Sequence, residues 1–300
     1  MITVENCPGD LCYAQYAVFV ALTGLILVNL KGVVGVWHLR VFKGLSTQYF
    51  LSKAGRKQSP GANNNDNASA VSSTTEEQPP QIFSYLITTH RNQPIDCDYN
   101  LHKSNSTFFA DLDINRAQLL MRLFGGFPKW KPATANTTSD QAEAKAKERS
   151  LNVALGGVSC IFKREIKPLQ KFEIWSRVLS WDEKWVYVVS YFIRPGMGQK
   201  AIGTGSSGGK KKGDEASVNL AILASSLTRY VFKDGRMTIK PVDVLRYNGL
   251  YPAGDGEEKI GTEREIERRL AVASALSGMD ALPELFGGAK FGVLGRYSDL

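Results

Sequence analysis

Hydrophobic and polar residues alternate along several segments of the chain. In residues 171–181, KFEIWSRVLSW, the side chains of Phe172, Ile174 and Val178 fall on one face of an extended strand. The next run, WVYVVSYFI, is rich in β-branched and aromatic residues, and Asp234-Gly235 is a strong β-hairpin signal. The pattern predicts five strands, at residues 82–91, 151–164, 171–181, 185–193 and 219–233.

Helical spacing replaces alternation in residues 106–124. Ser106 is a plausible N-cap, and Asp111 and Asp113 lie early in the segment, as the helix dipole prefers. The apolar side chains that form a stripe at this spacing are Phe109, Leu112, Leu119, Leu120 and Leu123. A long helix with one apolar face is therefore predicted here.

The order of the predicted elements is one strand, one long apolar helix and then four antiparallel strands. A curved antiparallel sheet with one apolar face is the surface that can bury the helix stripe. The sequence therefore predicts an α+β protein with a hotdog fold, in which the sheet wraps around a central helix. A second helix, residues 262–277, begins with the capping box Thr262-x-x-Glu265 and is predicted as part of a C-terminal appendage.

Residues 11–30 carry no charge, and as a helix they would rise about 30 Å, the thickness of a bilayer core. A secretory signal peptide is less consistent, because no basic residue precedes the run and no small-x-small cleavage site follows it. A buried soluble helix is the remaining alternative. We expect an N-terminal transmembrane helix, with the later basic residues placing the rest of the chain in the cytosol as a single-pass membrane protein.

Composition and patterning divide the chain into four parts. We predict a membrane anchor in residues 1–35, a flexible linker in 36–80, a hotdog domain in 81–250 and a helical tail in 251–300. Two stretches lack apolar periodicity, and we predict that they are loops inserted into the domain. They are residues 131–149 and 195–217.

Charge and cysteine content narrow the classes of partner. Of the 300 residues 43% are hydrophobic, enough for a core, and the net charge of +8 suits anionic partners such as phosphates or CoA. No zinc-knuckle, RNP or helix-turn-helix pattern is present, so no nucleic-acid partner is expected. The four cysteines are too scattered for a zinc site, and we expect neither a metal nor a cofactor.

Residues 95–109, IDCDYNLHKSNSTFF, place many proton-exchanging groups between a predicted strand and a predicted helix. Such groups can carry out acid–base and nucleophilic chemistry. Asp98 can serve as a nucleophile or a base, His102 can orient water or protonate a leaving group, and Asn100 can hold water or a carbonyl in line. Aspartate and asparagine also build turns and cap helices throughout proteins, so the motif alone is not diagnostic.

The run DCDYNLHKSN resembles the strand-to-helix motif of hotdog thioesterases, in particular the pattern D-x-D-x-N-x-H-x-x-N of plant acyl-ACP thioesterases. Together with the apolar N-terminal segment and the strand pair FEIWSRVLSWDEKWVYVVSYFI, it is similar to the group called thioesterase superfamily member six and to fungal thioesterases of the lcsJ type. The chain departs from these relatives at Ser104, where they usually have Asn, and at Phe108, where they usually have Tyr.

The resemblance implies a thioesterase that hydrolyses acyl-CoA or carrier-bound acyl chains in lipid or secondary metabolism. It implies Asp98, Asn100 and His102 as catalytic residues and Asn105, at the helix entry, as a substrate-binding residue. It also implies the endoplasmic reticulum as the membrane. A homodimer is expected as well, because hotdog units bury more of their sheet by pairing and two-fold dimers are the commonest oligomers.

Two other functions remain open on the sequence. A hotdog hydratase typically has its histidine five residues after the aspartate and a proline between them, and this chain has neither feature. A non-catalytic acyl-binding or scaffolding module at a membrane is the second alternative, favoured by the two departures and by the long polar insertions.

Overall fold

The computed structural model describes residues 9–57, 81–132, 148–198, 220–251 and 257–282. Its helices are α1 (Gly9–Val28), α2 (Val36–Lys57), α3 (Asn105–Phe124), α4 (Pro241–Tyr247) and α5 (Glu257–Ala273). Its strands are β1 (Leu86–Arg91), β2 (Lys129–Trp130), β3 (Arg149–Ser150), β4 (Asn152–Phe162), β5 (Lys171–Trp181), β6 (Val186–Ile193), β7 (Ile222–Asp234) and β8 (Met237–Ile239).

The main sheet is antiparallel and has six strands. Five of them lie in the order β1-β5-β6-β7-β4, and β8 pairs with the end of β7. Gly235, with φ of 60°, makes the turn between β7 and β8, a left-handed conformation that favours glycine. The five predicted strands and the hairpin are thus all present.

Helix α3 packs on one face of this sheet, which we call the inner face and define by Phe172, Ile174 and Phe192. Phe108 and Leu112 of α3 are buried against those three side chains. Nearer the end of the helix, which is capped by Gly125, Leu119 packs on Val188. A long helix that follows the first strand and is covered by the sheet is the hotdog arrangement, so this part of the fold prediction is confirmed.

Helix α2 covers the opposite side of α3 and corrects the predicted linker. Residues 36–57, assigned from sequence to a flexible segment, are helical because they have α3 to pack on. The approach is closest at Gly44, where an added Cβ would lie 2.6 Å from the Nε2 atom of Gln118. The rest of the predicted linker, residues 58–80, lies outside the described residues.

Among the residues that the structure describes, no helix combines the length and the apolar character needed to cross a membrane. Helix α1 covers most of the uncharged run, but Tyr13, Gln15 and Tyr16 occupy its first half. The stretch that follows them, residues 17–28, is about 18 Å long, well short of a bilayer core of about 30 Å. The predicted N-terminal transmembrane helix, and with it the single-pass membrane localisation, is therefore wrong.

Helix α5 packs on the other face of the sheet, which we call the outer face and define by Leu179, Val189 and Leu227. Ala273 and Leu270 of α5 contact this face. The helix begins at Glu257 rather than at the predicted capping box, since Glu265 pairs instead with the arginines that follow it in the helix. Most of each predicted inserted loop lies outside the described part of the chain, namely residues 133–147 of the first and 199–217 of the second.

Candidate active site

The polar run folds as a tight loop, residues 97–103, between β1 and α3. Cys97 and Lys103 form an isolated antiparallel bridge at its base. At its tip the N–H of Asp98 donates to the carbonyl of His102 and the N–H of Leu101 donates to the carbonyl of Asp98, both at 3.0 Å. Leu101 has φ of 58°, a conformation that costs a non-glycine residue about 1–2 kcal/mol. The surrounding hydrogen bonds hold this strained turn in place.

Asp98 and His102 face each other across the loop. The Oδ1 atom of Asp98 lies 3.7 Å from Nδ1 of His102, and the two side chains are 25% and 26% exposed. Nδ1 also lies 3.4 Å from the carbonyl oxygen of Lys103. Because both neighbours of Nδ1 are acceptors, the tautomer of the neutral ring that fits this loop has its proton on Nδ1 and leaves Nε2 as an acceptor. Nε2 has no hydrogen-bond partner among the described residues.

Asn100 contributes its backbone rather than its side chain. Its N–H donates to Oδ1 of Asp98 at 2.9 Å and fixes the carboxylate, while the residue as a whole is exposed. The predicted direct role of the Asn100 amide is therefore not visible in this arrangement.

Helix α3 starts next to this pair with its first N–H groups open. Ser104 is the N-cap residue but makes no side-chain capping bond, and no acidic residue lies in the first turn. The predicted N-cap, Ser106, lies inside the helix. In the described part of the chain, no hydrogen bond is made by the N–H groups of Asn105 and Ser106. Such open groups give a helix start a partial positive charge.

A cavity of about 550 Å³ opens beside the loop and the helix start. His102, Asn105 and Phe108 line one side of it. Asp98 and Asn100 are not among its lining residues, so the structure brings two of the four predicted site residues, His102 and Asn105, to the cavity. Asp98 does not line the cavity but lies next to His102. The opposite wall is strongly basic, with one acid, Glu165, among Lys163, Arg164, Lys167 and Arg194.

A buried charge cluster holds the base of the loop. The Nζ atom of Lys103 lies 2.9 Å from Oδ2 of Asp111 and 3.8 Å from Oδ2 of Asp96. Two cations from the N-terminal segment reach the same carboxylates, Lys31 at 2.7 Å from Asp96 and Arg40 at 2.8 Å from Asp111. The loop, α3 and the N-terminal segment are therefore joined by charges removed from water.

Asp111 is ionised within this cluster. Burial alone would raise its pKa, but a hydrogen bond with His90 and the charges of Lys103 and Lys31 outweigh burial and hold the pKa of Asp111 well below its ordinary value. A carboxylate that is buried yet paired on several sides is a strong constraint on the position of α3.

Asn92 fixes the far wall of the cavity. Its side-chain amide donates to the carbonyl oxygens of Ile166 and Lys167 at 2.9 and 3.1 Å, and the residue is fully buried. Since the N–H of Lys103 also donates to the carbonyl of Ile166, at 2.9 Å, the loop and the wall share one anchor.

Sequence reasoning missed Lys103, Asp111 and Asn92. An early position in the helix suits the dipole, but Asp111 also lies three residues after Phe108 and one before Leu112, on the apolar stripe of α3. A carboxylate inside an apolar stripe is a signal of a buried partner, because an unpaired buried charge is not tolerated. Nothing comparable marks Asn92 in the sequence.

Comparison with known proteins identifies the family of this chain. A family model described as the thioesterase-like superfamily matches residues 93–234, which include the loop, α3 and the sheet. Together with a thioesterase relative that is 45% identical and covers 91% of this chain, this match shows that the chain belongs to the thioesterase-like superfamily. The resemblance noted in the sequence is confirmed, and so is the enzyme class, a thioester hydrolase.

Three fungal relatives agree with this assignment. The chain is 45% identical over 298 residues to the probable thioesterase atnL of Emericella nidulans, covering 91% of this chain and 90% of the relative. It is 39% identical to the thioesterase poxG of Penicillium oxalicum, over 71% of this chain and 76% of the relative. It is 29% identical to the thioesterase lcsJ of Purpureocillium lilacinum, over 82% of this chain and 77% of the relative.

Proposed function

We propose that this protein hydrolyses acyl thioesters of phosphate-bearing pantetheine, that is acyl-CoA or an acyl chain on a carrier protein, with His102 as the general base. The observation that carries the proposal is the position of His102: it lines the cavity, its Nδ1 faces only acceptors, and it stands beside the open start of α3.

The reaction needs one water molecule. Nε2 of His102 takes a proton from the water while the oxygen of the water attacks the thioester carbon. Asp98, 3.7 Å from Nδ1, stabilises the imidazolium that forms. The N–H groups of Asn105 and Ser106 stabilise the oxyanion. The carbon–sulfur bond then breaks, the thiolate takes the proton from His102, and an acid and a thiol are released.

The wall opposite His102 supports the choice of substrate. Lys163, Lys167 and Arg194 place positive charge at the cavity. The phosphates of CoA, or the single phosphate of a carrier-bound pantetheine, are anions of the kind that such a wall attracts. The side chain of Asn105 lies on the same cavity and is proposed to contact the acyl thioester.

Thiol release from acyl-CoAs of several chain lengths tests this function. We expect activity from the full chain, and a loss of about 10²–10⁴-fold in kcat for His102→Gln, the range for a positioned general base. Asp98→Asn should lose activity too, because the imidazolium would lack its counter-charge. Glu267→Gln, a change on the exposed side of α5, is the control. Absence of thiol release, or full activity in His102→Gln, would refute the proposal.

The alternative from the sequence, a non-catalytic acyl-binding module, is supported only by the absence of Asp98 and Asn100 from the cavity lining, and the thioesterase relatives oppose it. The same assay separates the two. An acyl-CoA that binds but keeps its thioester after prolonged incubation supports the module, and release of free thiol supports the hydrolase.

We also propose that two copies pair through β4. This strand is one edge of the sheet, and Leu155, Ile161 and Phe162 on it are 50%, 63% and 38% exposed. An edge strand leaves a row of N–H and C=O groups available to a second copy. A closed two-fold dimer is the commonest way to cover such an edge.

A further inference from the structure

A second cavity lies on the outer face of the sheet, away from His102. It has a volume of about 580 Å³, within the range of small-molecule sites. Its floor is formed by Leu179, Val189 and Leu227, and the side of α5 and the 3-10 turn after it supplies Val272 and Leu276. Most of its lining is therefore apolar.

Three arginines stand on this apolar groove: Arg177 from β5, and Arg268 and Arg269 from α5. Glu265 accepts from Arg268 at 2.6 Å and from Arg269 at 2.5 Å. Arg177 forms no ion pair with any described residue. Among the lining residues and their ion-pair partners, three guanidinium groups are therefore matched by one carboxylate. The groove keeps a net charge of two positive units from these groups.

Two of these guanidinium groups are held in fixed places and have donors to spare. The guanidinium of Arg177 lies 5.0 Å from the ring centre of Tyr85, and that of Arg269 lies 4.6 Å from the ring centre of Phe83. Nε of Arg177 and Nη1 of Arg269 are buried and have no hydrogen-bond partner among the described residues. These two atoms are enclosed by the protein, so a ligand in the groove would meet the other N–H groups of Arg177 and Arg269, two residues that line it.

Tyr191 and the mutual repulsion of the arginines point to the same ligand charge. Burial lowers the pKa of Arg269, and the neighbouring charge of Arg177 lowers it further. Burial also raises the pKa of Tyr191, which lines the groove, so its phenol remains a donor at neutral pH. An anion would satisfy these donors and offset the repulsion.

We propose that this groove binds a fatty-acid anion, with the carboxylate at Arg177, Arg269 and Tyr191 and the alkyl chain along Leu179, Val189, Leu227 and Val272. The need for an anion with an apolar chain follows from the groove itself. The choice of a carboxylate rests on the proposed function, whose acid product has this chemistry. The site is separate from the cavity at His102, with which it shares no lining residue.

Calorimetric titration of the full chain with dodecanoate below its micelle concentration tests this site. We expect saturable binding, and at least tenfold weaker binding of dodecanol, because the alcohol lacks the charge that the arginines recognise. The double variant Arg177→Gln/Arg269→Gln should weaken dodecanoate at least tenfold. Its matched control is Arg264→Gln/Arg236→Gln, which removes the same charge from exposed positions and should leave binding unchanged.

A second variant keeps the test decisive if the arginine pair is needed for folding, which circular dichroism and the melting temperature report. Ala275→Trp places a large side chain in the groove from an exposed position and should abolish dodecanoate binding. Asp98→Asn should lose thioester hydrolysis and keep dodecanoate binding, so failure of this site and failure of the proposed reaction give different results.

Three outcomes would overturn the proposal. They are equal affinity for dodecanol and dodecanoate, unchanged binding in both groove variants, and a groove variant that alters the oligomeric mass while dodecanoate binding persists. The last would identify the groove as a contact between copies of the chain.

Discussion

The Nζ atom of Lys103 lies 2.9 Å from Oδ2 of Asp111, and the two side chains are 0% and 2% exposed. Lys103 closes the loop that carries Asp98 and His102, and Asp111 belongs to the helix whose open start faces the cavity. This ion pair therefore joins the loop that carries the proposed base to the helix that carries the proposed oxyanion donors. Removing one partner of a buried pair leaves the other charge without compensation.

Asp111→Asn tests how much stability depends on the cluster. The variant leaves Lys103, Lys31 and Arg40 with one carboxylate fewer, and we expect the free energy of unfolding to fall by about 3–5 kcal/mol. Urea denaturation monitored by circular dichroism measures the change. Glu267→Gln, also a carboxylate-to-amide change but exposed, should shift it by no more than about 0.5 kcal/mol. Equal effects of the two variants would show that the cluster contributes nothing.

The same carboxylate predicts a pH dependence of stability. The folded-state pKa of Asp111 is lowered, so the unfolded chain takes up the proton first as pH falls. Its contribution is complete above about pH 5, declines as pH falls through the unfolded pKa of about 3.9, and disappears once pH is below the folded pKa. The difference in unfolding free energy between the wild type and Asp111→Asn should therefore shrink from pH 6 to pH 3. A constant difference over this range contradicts the role assigned to Asp111.

The sheet and the central helix were predictable because their patterns are local. Alternation in residues 171–181 gives β5 with the same bounds, and the stripe in 106–124 gives α3 to within one residue. Helix α2 was not predictable in this way, because its apolar and basic residues are mixed around the helix. Its stability comes from contact with α3, which is distant in sequence. The transmembrane prediction was wrong because it depended only on the absence of charged residues. It did not take into account the polar groups of Tyr13, Gln15 and Tyr16.

The site was predictable in its location but not in its supports. The spacing of Asp98 and His102 indicated a common loop, and the structure places them together. The residues that fix this loop come from far away, since Lys31 is 80 positions and Arg40 71 positions before Asp111. Contacts of that range leave no periodic trace in a single sequence. Only the polar Asp111 within an apolar stripe gave a hint.

Asn100 offers a sharp test of which part of the loop matters. Its N–H fixes the carboxylate of Asp98, and its side chain is exposed. We expect Asn100→Ala to change kcat by less than about threefold, because a backbone donor survives the substitution. Asn100→Pro removes the N–H and should lower kcat toward the level of Asp98→Asn, with KM little changed. Steady-state kinetics on one acyl-CoA decides this, and a large loss in Asn100→Ala would return the side chain to the catalytic role first predicted for it.

The exposed edge of β4 predicts the oligomeric state. If two copies continue the sheet through this strand, light scattering of the full chain should give twice the monomer mass. Leu155→Lys places a charge on the 50% exposed edge position, where lysine is a common guard against pairing, and should shift the mass to that of the monomer. Met237→Lys, at a 53% exposed position on β8, is the matched control and should leave the dimer intact. A monomeric wild type, or a dimer that survives Leu155→Lys and dissociates with Met237→Lys, would remove β4 as the interface.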